Sequence, residues 1–373
     1  LVLPALLLNS FGQGALLLSR PSEVHHPFYA LVPAWGLIPM VLLATSATII
    51  ASQAVISGAF SLTRQAVQLG YWPRLKIVHT SREQIGQVYI PQVNWLLMVA
   101  TIGLVAGFRS SSKLAAAYGV AVSTTMLIST VLFYVVARER WGWSRLIAGA
   151  LLGLFLSVDV AFFSANIIKI AHGAWFPLAV AGIGFVLMRT WKKGRRFIVE
   201  RTQQSSISFE DLLQSLSLEP PSRVHGKAVF MTGAPWGVPS ALLHNLKHNK
   251  ILHSETAFVH VVTEEVPRVP REEKVEVLEL GSGFYRVTAH YGFMEEPNIP
   301  HVLAMAREKG LDFPLNEVSF FLGRERLLPG RKTVMSGWRT RLFGFMSRNA
   351  LGPVSFYHIP PNQVIEVGAQ LQL

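Results

Sequence analysis

The sequence predicts an α-helical polytopic membrane protein followed by an α/β cytosolic domain, and three observations predict it. Half of the 373 residues are hydrophobic, only 15% are charged and the mean hydropathy is +0.36, which is too apolar for one water-soluble domain of this size. The apolarity is uneven: residues 1–191 hold 12 Lys and Arg with 4 Asp and Glu, whereas residues 192–373 hold 22 and 18. Six nearly continuous apolar stretches fill the first part, and strand-like alternation interrupted by helix-like periodicity fills the second.

Crossing the hydrocarbon takes about 20 mostly apolar helical residues, because every backbone polar group must be satisfied within the segment. The stretches 1–18, 35–60, 91–108, 114–137, 146–166 and 175–191 meet or approach that length and define a transmembrane domain over 1–191. Prolines at 33, 91 and 177 lie near the starts of three of them, whereas Pro4 and Pro39 fall inside spans and are expected to kink them. The first stretch has the length of a signal-peptide core. It lacks a basic leader, contains Pro4 and Gln13 and is followed by five further spans, so it is read as a span of a longer chain.

The connectors sort by charge. Segment 61–90 holds Arg64, Arg74, Lys76 and Arg82; segment 138–145 holds Arg138, Arg140 and Arg145; "KKGRR" at 192–196 follows the sixth span. The alternate connectors carry only Arg20, then Arg109 and Lys113, then Lys169. The basic set is therefore assigned to the cytoplasm, with the C-terminal part of the chain on the same side. Trp35, Trp95, Trp141, Trp143, Trp175 and Trp191 fall at or near span ends, where interfacial anchors belong. In this setting the net charge of +12 faces anionic lipid, and no nucleic-acid partner is expected. The chain has no cysteine, so disulfides, thiolate metal sites and cysteine nucleophiles are excluded.

Residues 192–221 read as a basic linker in which "SFEDLLQSLSLEPPSRVHG" offers a short amphipathic helix closed by Pro220 and Pro221. Residues 222–373 read as the cytosolic α/β domain. Strands are predicted at 227–232, 256–263, 274–280, 284–293 and 317–323, with helices at 240–249 and 299–310. A basic amphipathic helix over 336–350 is expected to pack on the sheet, with the membrane face of the domain as the alternative. His244 and His248 share a helix face and His253 lies close by. No third ligand follows at motif spacing and no Glu stands between them, so a solvated helix is the reading rather than a metal site. "GSG" at 281–283 separates two strands without opening a helix and reads as a hairpin turn, not a phosphate loop. No catalytic constellation emerges, and no enzymatic activity or resident cofactor is expected.

Several polar residues lie inside the spans. Thr48 and Ser52 follow helical spacing with Ala44, Ala51 and Val55, and Tyr118 and Thr125 share a face one heptad apart. Such faces serve either close helix packing or the lining of a cation path, where hydroxyl and carbonyl oxygens replace hydration water. Asp159 is the one carboxylate within a span, and at a helix centre it costs about 3 kcal/mol unless it meets water or a partner. The sequence leaves a structural polar contact and proton or cation handling both open for it.

Several long strings carry a resemblance. "LNSFGQGALLL" (8–18), "IASQAVISGAFSLTRQAVQLGYWPRLKIVHTS" (50–81), "GQVYIPQVNWLL" (86–97), "AAAYGVAVSTTM" (115–126), "LLHNLKHNKILHSE" (242–255) and "IPPNQVIEVGAQ" (359–370) resemble the Kup/HAK/KT potassium transporters across the whole chain. The stretch after residue 61 also resembles the wider amino acid-polyamine-organocation superfamily. The resemblance implies a twelve-span, LeuT-like carrier of the bacterial plasma (inner) membrane that takes up K⁺ with H⁺, both as transported ions rather than cofactors. The spans here are then the seventh to twelfth. "FGQGA" becomes the centre of the seventh, with Gln13 bonding inside the bundle as a packing and gating element. The principal K⁺ site and its acidic residues are expected in the part of such a carrier that precedes Leu1, and residues 1–373 alone are expected not to transport. Related transporters carry sensing or dimerising tails. That leaves homodimerisation through the cytosolic domain, and as a second class of function a membrane-anchored regulatory or dimerising module whose α/β domain binds a nucleotide.

Overall fold

The computed structural model describes residues 2–19, 26–79, 88–168, 170, 175–204, 207–233, 237–328 and 335–372. Contacts divide the chain into two units, one of residues 1–61 with 79–89 and one of residues 62–78 with 90–373. The first unit contains α1 (Val2–Ser19), the single turn α2 (Pro27–Ala30) and most of α3 (Leu37–Gln68). After the two-residue strands β1 (Val78–His79) and β2 (Val88–Tyr89) come α4 (Pro91–Phe108), α5 (Ser111–Glu139), α6 (Arg145–Ile167), α7 (Trp175–Gln204) and α8 (Phe209–Leu218).

Among the described residues five helices, α1, α3, α4, α5 and α6, are long and apolar enough to cross a membrane. The sixth expected span is helical but differs in character. Its apolar part, Trp175–Met188, is only 14 residues long before Arg189, and α7 then runs on through the basic residues to Gln204. Residues 192–221, expected as a linker, are thus largely the end of α7 and α8. Neither Pro4 nor Pro39 interrupts its helix, and Pro39 falls in the first turn of α3, where the missing N–H costs least. Arg20, Arg82 and Lys169, assigned above to connectors, lie outside the described residues.

The C-terminal domain is a six-stranded sheet of β3 (Ser222–Thr232), β4 (Ile251–Glu264), β5 (Val275–Gly281), β6 (Phe284–Gly292), β7 (Val318–Leu328) and β8 (Val364–Gln372). The spatial order is β5-β6-β4-β3-β7-β8, parallel except for the β5–β6 hairpin. That hairpin turns on Gly281, Ser282 and Gly283, all at positive φ, as the GSG reading requires. A bulge in β3 between Val224 and Lys227 is accommodated by Gly226 at φ +111°. Strand alternation sends Val229, Val259, Val287 and Phe320 to one core with α10 (Ile299–Glu308), and Phe230, Phe258, Phe284 and Phe321 to the other with α8 and α9 (Ser240–Asn249). Covering both faces is what a mainly parallel sheet requires. The edge strand β8 was not anticipated, since it follows two prolines and only its short "VIEV" alternates.

The amphipathic helix α11 (Gly337–Arg348) does not pack on the sheet. Phe343 is fully buried against Gly194 of α7, its ring centroid 5.4 Å from that of Trp191, within a separate cluster completed by Ile198, Met335 and Met346. Trp191, expected as an interfacial anchor, is therefore a buried packing residue at 7% exposure. Trp35, Trp95, Trp141 and Trp175 are exposed and Trp143 is half-buried.

Candidate functional site

The end of α3 and the segment after it, read from sequence only as cytoplasmic charge, are held by the C-terminal domain. The buried Arg64 donates from Nη2 to the Met294 carbonyl at 2.5 Å. Arg74 stacks over the rings of Phe356 and Tyr357 at 4.7 and 5.0 Å, donates to Tyr357 Oη at 3.1 Å, and accepts on its own carbonyl from Leu351 N at 2.7 Å. Lys192 of α7 stands 3.8 Å over the ring of Tyr71. The turn that presents Met294 is fixed by Glu295, whose carboxylate accepts from Lys274 Nζ at 2.7 Å, Gly292 N at 2.8 Å and Val269 N at 3.1 Å. Burial raises the Glu295 pKa, but these hydrogen bonds outweigh it and hold the carboxyl below 4.5. The basic residues of this segment thus fasten the C-terminal domain to the helix ends.

Within the apolar helices, α5 and α6 form an antiparallel pair closed by the Arg140–Ser144 turn, where Gly142 has φ +66° and Ser144 Oγ caps α6 by accepting from Ile147 N. Small residues let the helices approach: Ala137 and Ala148 are buried near the turn, and Gly119 lies under the Asn166 side chain at the far end. Between these levels Asp159 is 5% exposed, and its Oδ2 accepts from Thr130 Oγ1 at 2.5 Å. A carboxyl placed among apolar helices is stabilised by such a donor, and the donor's own hydroxyl is satisfied.

The other predicted site residues stand apart from this couple. Tyr118 is 72% exposed on α5, and Thr125, also exposed, donates to the Ala121 carbonyl at 2.9 Å. On α3, Thr48 donates to the Ala44 carbonyl at 2.8 Å, and Ser52 is exposed. Gln13 Nε2 donates to Asn9 Oδ1 at 3.1 Å within α1, a local contact between side chains one turn apart. Thr45 and Ser46 repeat the back-bonding of Thr48. Each such hydroxyl commits its proton to its own helix, and its oxygen keeps only acceptor capacity toward whatever faces it.

Thr130 was missed by sequence reasoning. A hairpin count was available: stepping back from the Trp141–Trp143 turn as far as Asp159 lies beyond it reaches a stretch with hydroxyls at Ser123, Thr124, Thr125, Ser129 and Thr130. Counting alone does not choose among the five. In the soluble domain His244 and His248 stack ring on ring at 6.0 Å, and among the described residues no group of three or more His, Asp and Glu could hold a metal ion.

Comparison with known proteins gives a consistent assignment. Residues 1–196 match the family model for the K⁺ potassium transporter integral membrane domain, and residues 225–373 match that for the K⁺ potassium transporter C-terminal domain. The whole chain aligns with the probable potassium transport system protein Kup of Chlorobium chlorochromatii at 58% identity, covering 60% of that protein. It aligns over its full length with those of Myxococcus xanthus at 56% and Geobacter sulfurreducens at 53%, covering 57% and 59% of them. The chain spans about three fifths of the length of these curated relatives. The apolar helices and the two matched domains make it a multi-pass protein of the bacterial inner membrane, and it belongs to the Kup/HAK/KT potassium transporter family.

Proposed function

We propose that the chain forms part of a secondary transporter that takes up K⁺ with H⁺, with its α/β domain in the cytoplasm. The match of both parts of the chain to potassium transporter domains, in relatives named potassium transport proteins, carries this reading. The geometry supports it. Hydroxyls on α3 and α5 that bond to their own helices offer outward-facing acceptor oxygens, the donor set that suits a monovalent cation shedding its water. Asp159 and Thr130 supply the one carboxyl and hydroxyl couple described between the apolar helices. On this reading the spans are the seventh to twelfth of a LeuT-like carrier, α7 completing the sixth of them here. Tyr118 and Thr125 line the path together with parts of the longer chain that hold the principal K⁺ site. Residues 1–373 alone then do not transport.

A K⁺-uptake-deficient strain tests both statements. The longer chain is expected to restore growth at low K⁺, and residues 1–373 alone are expected not to. Growth restored by residues 1–373 alone overturns the division of labour, and failure of the longer chain overturns the transport reading.

A further inference from the structure

One face of α7 runs without interruption through positions 179, 182, 183, 186, 187, 190, 191, 194 and 198. α11 covers its C-terminal half, through Phe343 on Gly194 and Trp191, and through Arg339 Nε, which donates to Thr190 Oγ1 at 3.0 Å. The N-terminal half stays open as an apolar groove of about 460 Å³, lined by Gly182, Ile183, Val186 and Leu187 of α7 and by Trp338 and Leu342 of α11.

Two further observations point to the occupant. Beyond the half-buried Leu342, which packs toward α7, α11 leaves two large apolar side chains exposed, Trp338 at 57% and Phe345 at 59%. A helix buried on one face and apolar on another suits the plane where hydrocarbon meets headgroups. Charge then gives the sign. From Trp175 to Val199 of α7, and throughout α11, there is no Asp or Glu, whereas Arg189, Lys192, Lys193, Arg195 and Arg196 follow the groove on α7 and Arg339, Arg341 and Arg348 lie on α11. The bond from Arg339 to Thr190 places a guanidinium one turn beyond Leu187 on the groove face itself.

We propose that this groove is a binding site for an anionic glycerophospholipid of the cytoplasmic leaflet. One acyl chain lies along Gly182, Ile183 and Val186 beneath Trp338, and the phosphate is met by Arg189, Arg339 and Arg341. The lipid completes the α7 face that α11 leaves uncovered and ties the soluble domain to the bilayer surface. A free phosphate ion would use the cations and leave the groove unfilled.

Native mass spectrometry of the detergent-purified chain, titrated with phosphatidylglycerol or phosphatidylcholine, tests the proposal. A juxtamembrane cation contributes about 1 kcal/mol toward an anionic lipid, so two or three arginines predict phosphatidylglycerol bound about 30-fold to 150-fold more tightly. Gly182→Phe fills the groove; a Cβ there meets nothing within 4 Å, and the change favours the helix. It is expected to weaken phosphatidylglycerol binding by about tenfold or more, and Ala179→Phe, at another groove position, provides the same test should the first variant fold poorly. The pair Arg189→Gln with Arg341→Gln should bring the two lipids close to equal affinity. Equal affinity in the unaltered chain, unchanged binding in both filled variants, or displacement of phosphatidylglycerol by inorganic phosphate would each overturn it.

Discussion

Replacing Thr130 by Val keeps the side-chain shape and removes the proton that Asp159 Oδ2 accepts at 2.5 Å, leaving a carboxyl that is 5% exposed without that donor. Interhelical hydrogen bonds in membranes average about 0.6 kcal/mol, with a maximum near 1.7. Hydrogen bonds to charged groups in water-soluble proteins contribute about 1.5–3 kcal/mol. The short distance and the burial place this one toward the upper end of the membrane range, so the Thr130–Asp159 coupling should be about 1–2 kcal/mol. The assay is a double-mutant cycle of Thr130→Val, Asp159→Leu and the double variant, with unfolding followed in mixed micelles. Thr130→Val should destabilise the chain when Asp159 is present and have little effect in the Asp159→Leu background. Equal effects of Thr130→Val in both backgrounds, with coupling below about 0.3 kcal/mol, would refute the reasoning.

Arg74→Ala removes the cation from Phe356 and Tyr357 and the bond to Tyr357 Oη, and should cost about 1–2 kcal/mol of domain attachment, read as faster proteolysis between the helices and the sheet with the sheet itself intact. Gly292→Ala would drive a Cβ into the Pro267 carbonyl, breaking the turn that carries Met294 and Glu295; a melting temperature within a degree or so of the parent would contradict the packing described. The pH dependence of the soluble domain has a definite sign. Burial depresses His253 and His260 below 6.5, at His260 against a raising bond to the Thr232 carbonyl. The unfolded chain therefore takes up protons first, and stability present above pH 6.5 falls as the pH drops through the depressed values. Glu295 adds a second loss, because stability present above pH 4.5 disappears as the pH falls through its lowered folded value. Hydrogen-exchange protection factors in β4 and β6, taken relative to the intrinsic exchange rate at each pH, should fall in that order, and protection that rises on acidification would contradict both assignments. In the longer chain, Tyr118→Phe and Thr125→Val should weaken K⁺ affinity or selectivity; unchanged uptake kinetics in both return these residues to helix packing.

The membrane helices were legible because one physical constraint, the need to hide backbone amides from hydrocarbon, writes long apolar runs into the sequence. The strands β3, β4, β6 and β7 were legible because they carry apolar runs or alternation bounded by turn residues. What failed was information that lies between elements. Trp191 looks like an anchor until Phe343, 152 positions later, closes over it. Thr130 looks like any hydroxyl in an apolar helix until the hairpin register sets it opposite Asp159. Arg64 and Arg74 read as topological charge because a local sequence does not reveal that Met294 and Tyr357 await them. The candidate residues shared this limit, since only Asp159 announced a need for a partner through its own chemistry.

The most direct test of the central claim is K⁺ uptake into sealed proteoliposomes holding the longer chain, with a K⁺ gradient directed inward and the internal pH recorded. Saturable, K⁺-selective entry accompanied by internal acidification is the expected result. Entry no faster than in protein-free vesicles would contradict the claim of a potassium carrier, and K⁺ entry with no proton movement would contradict the symport.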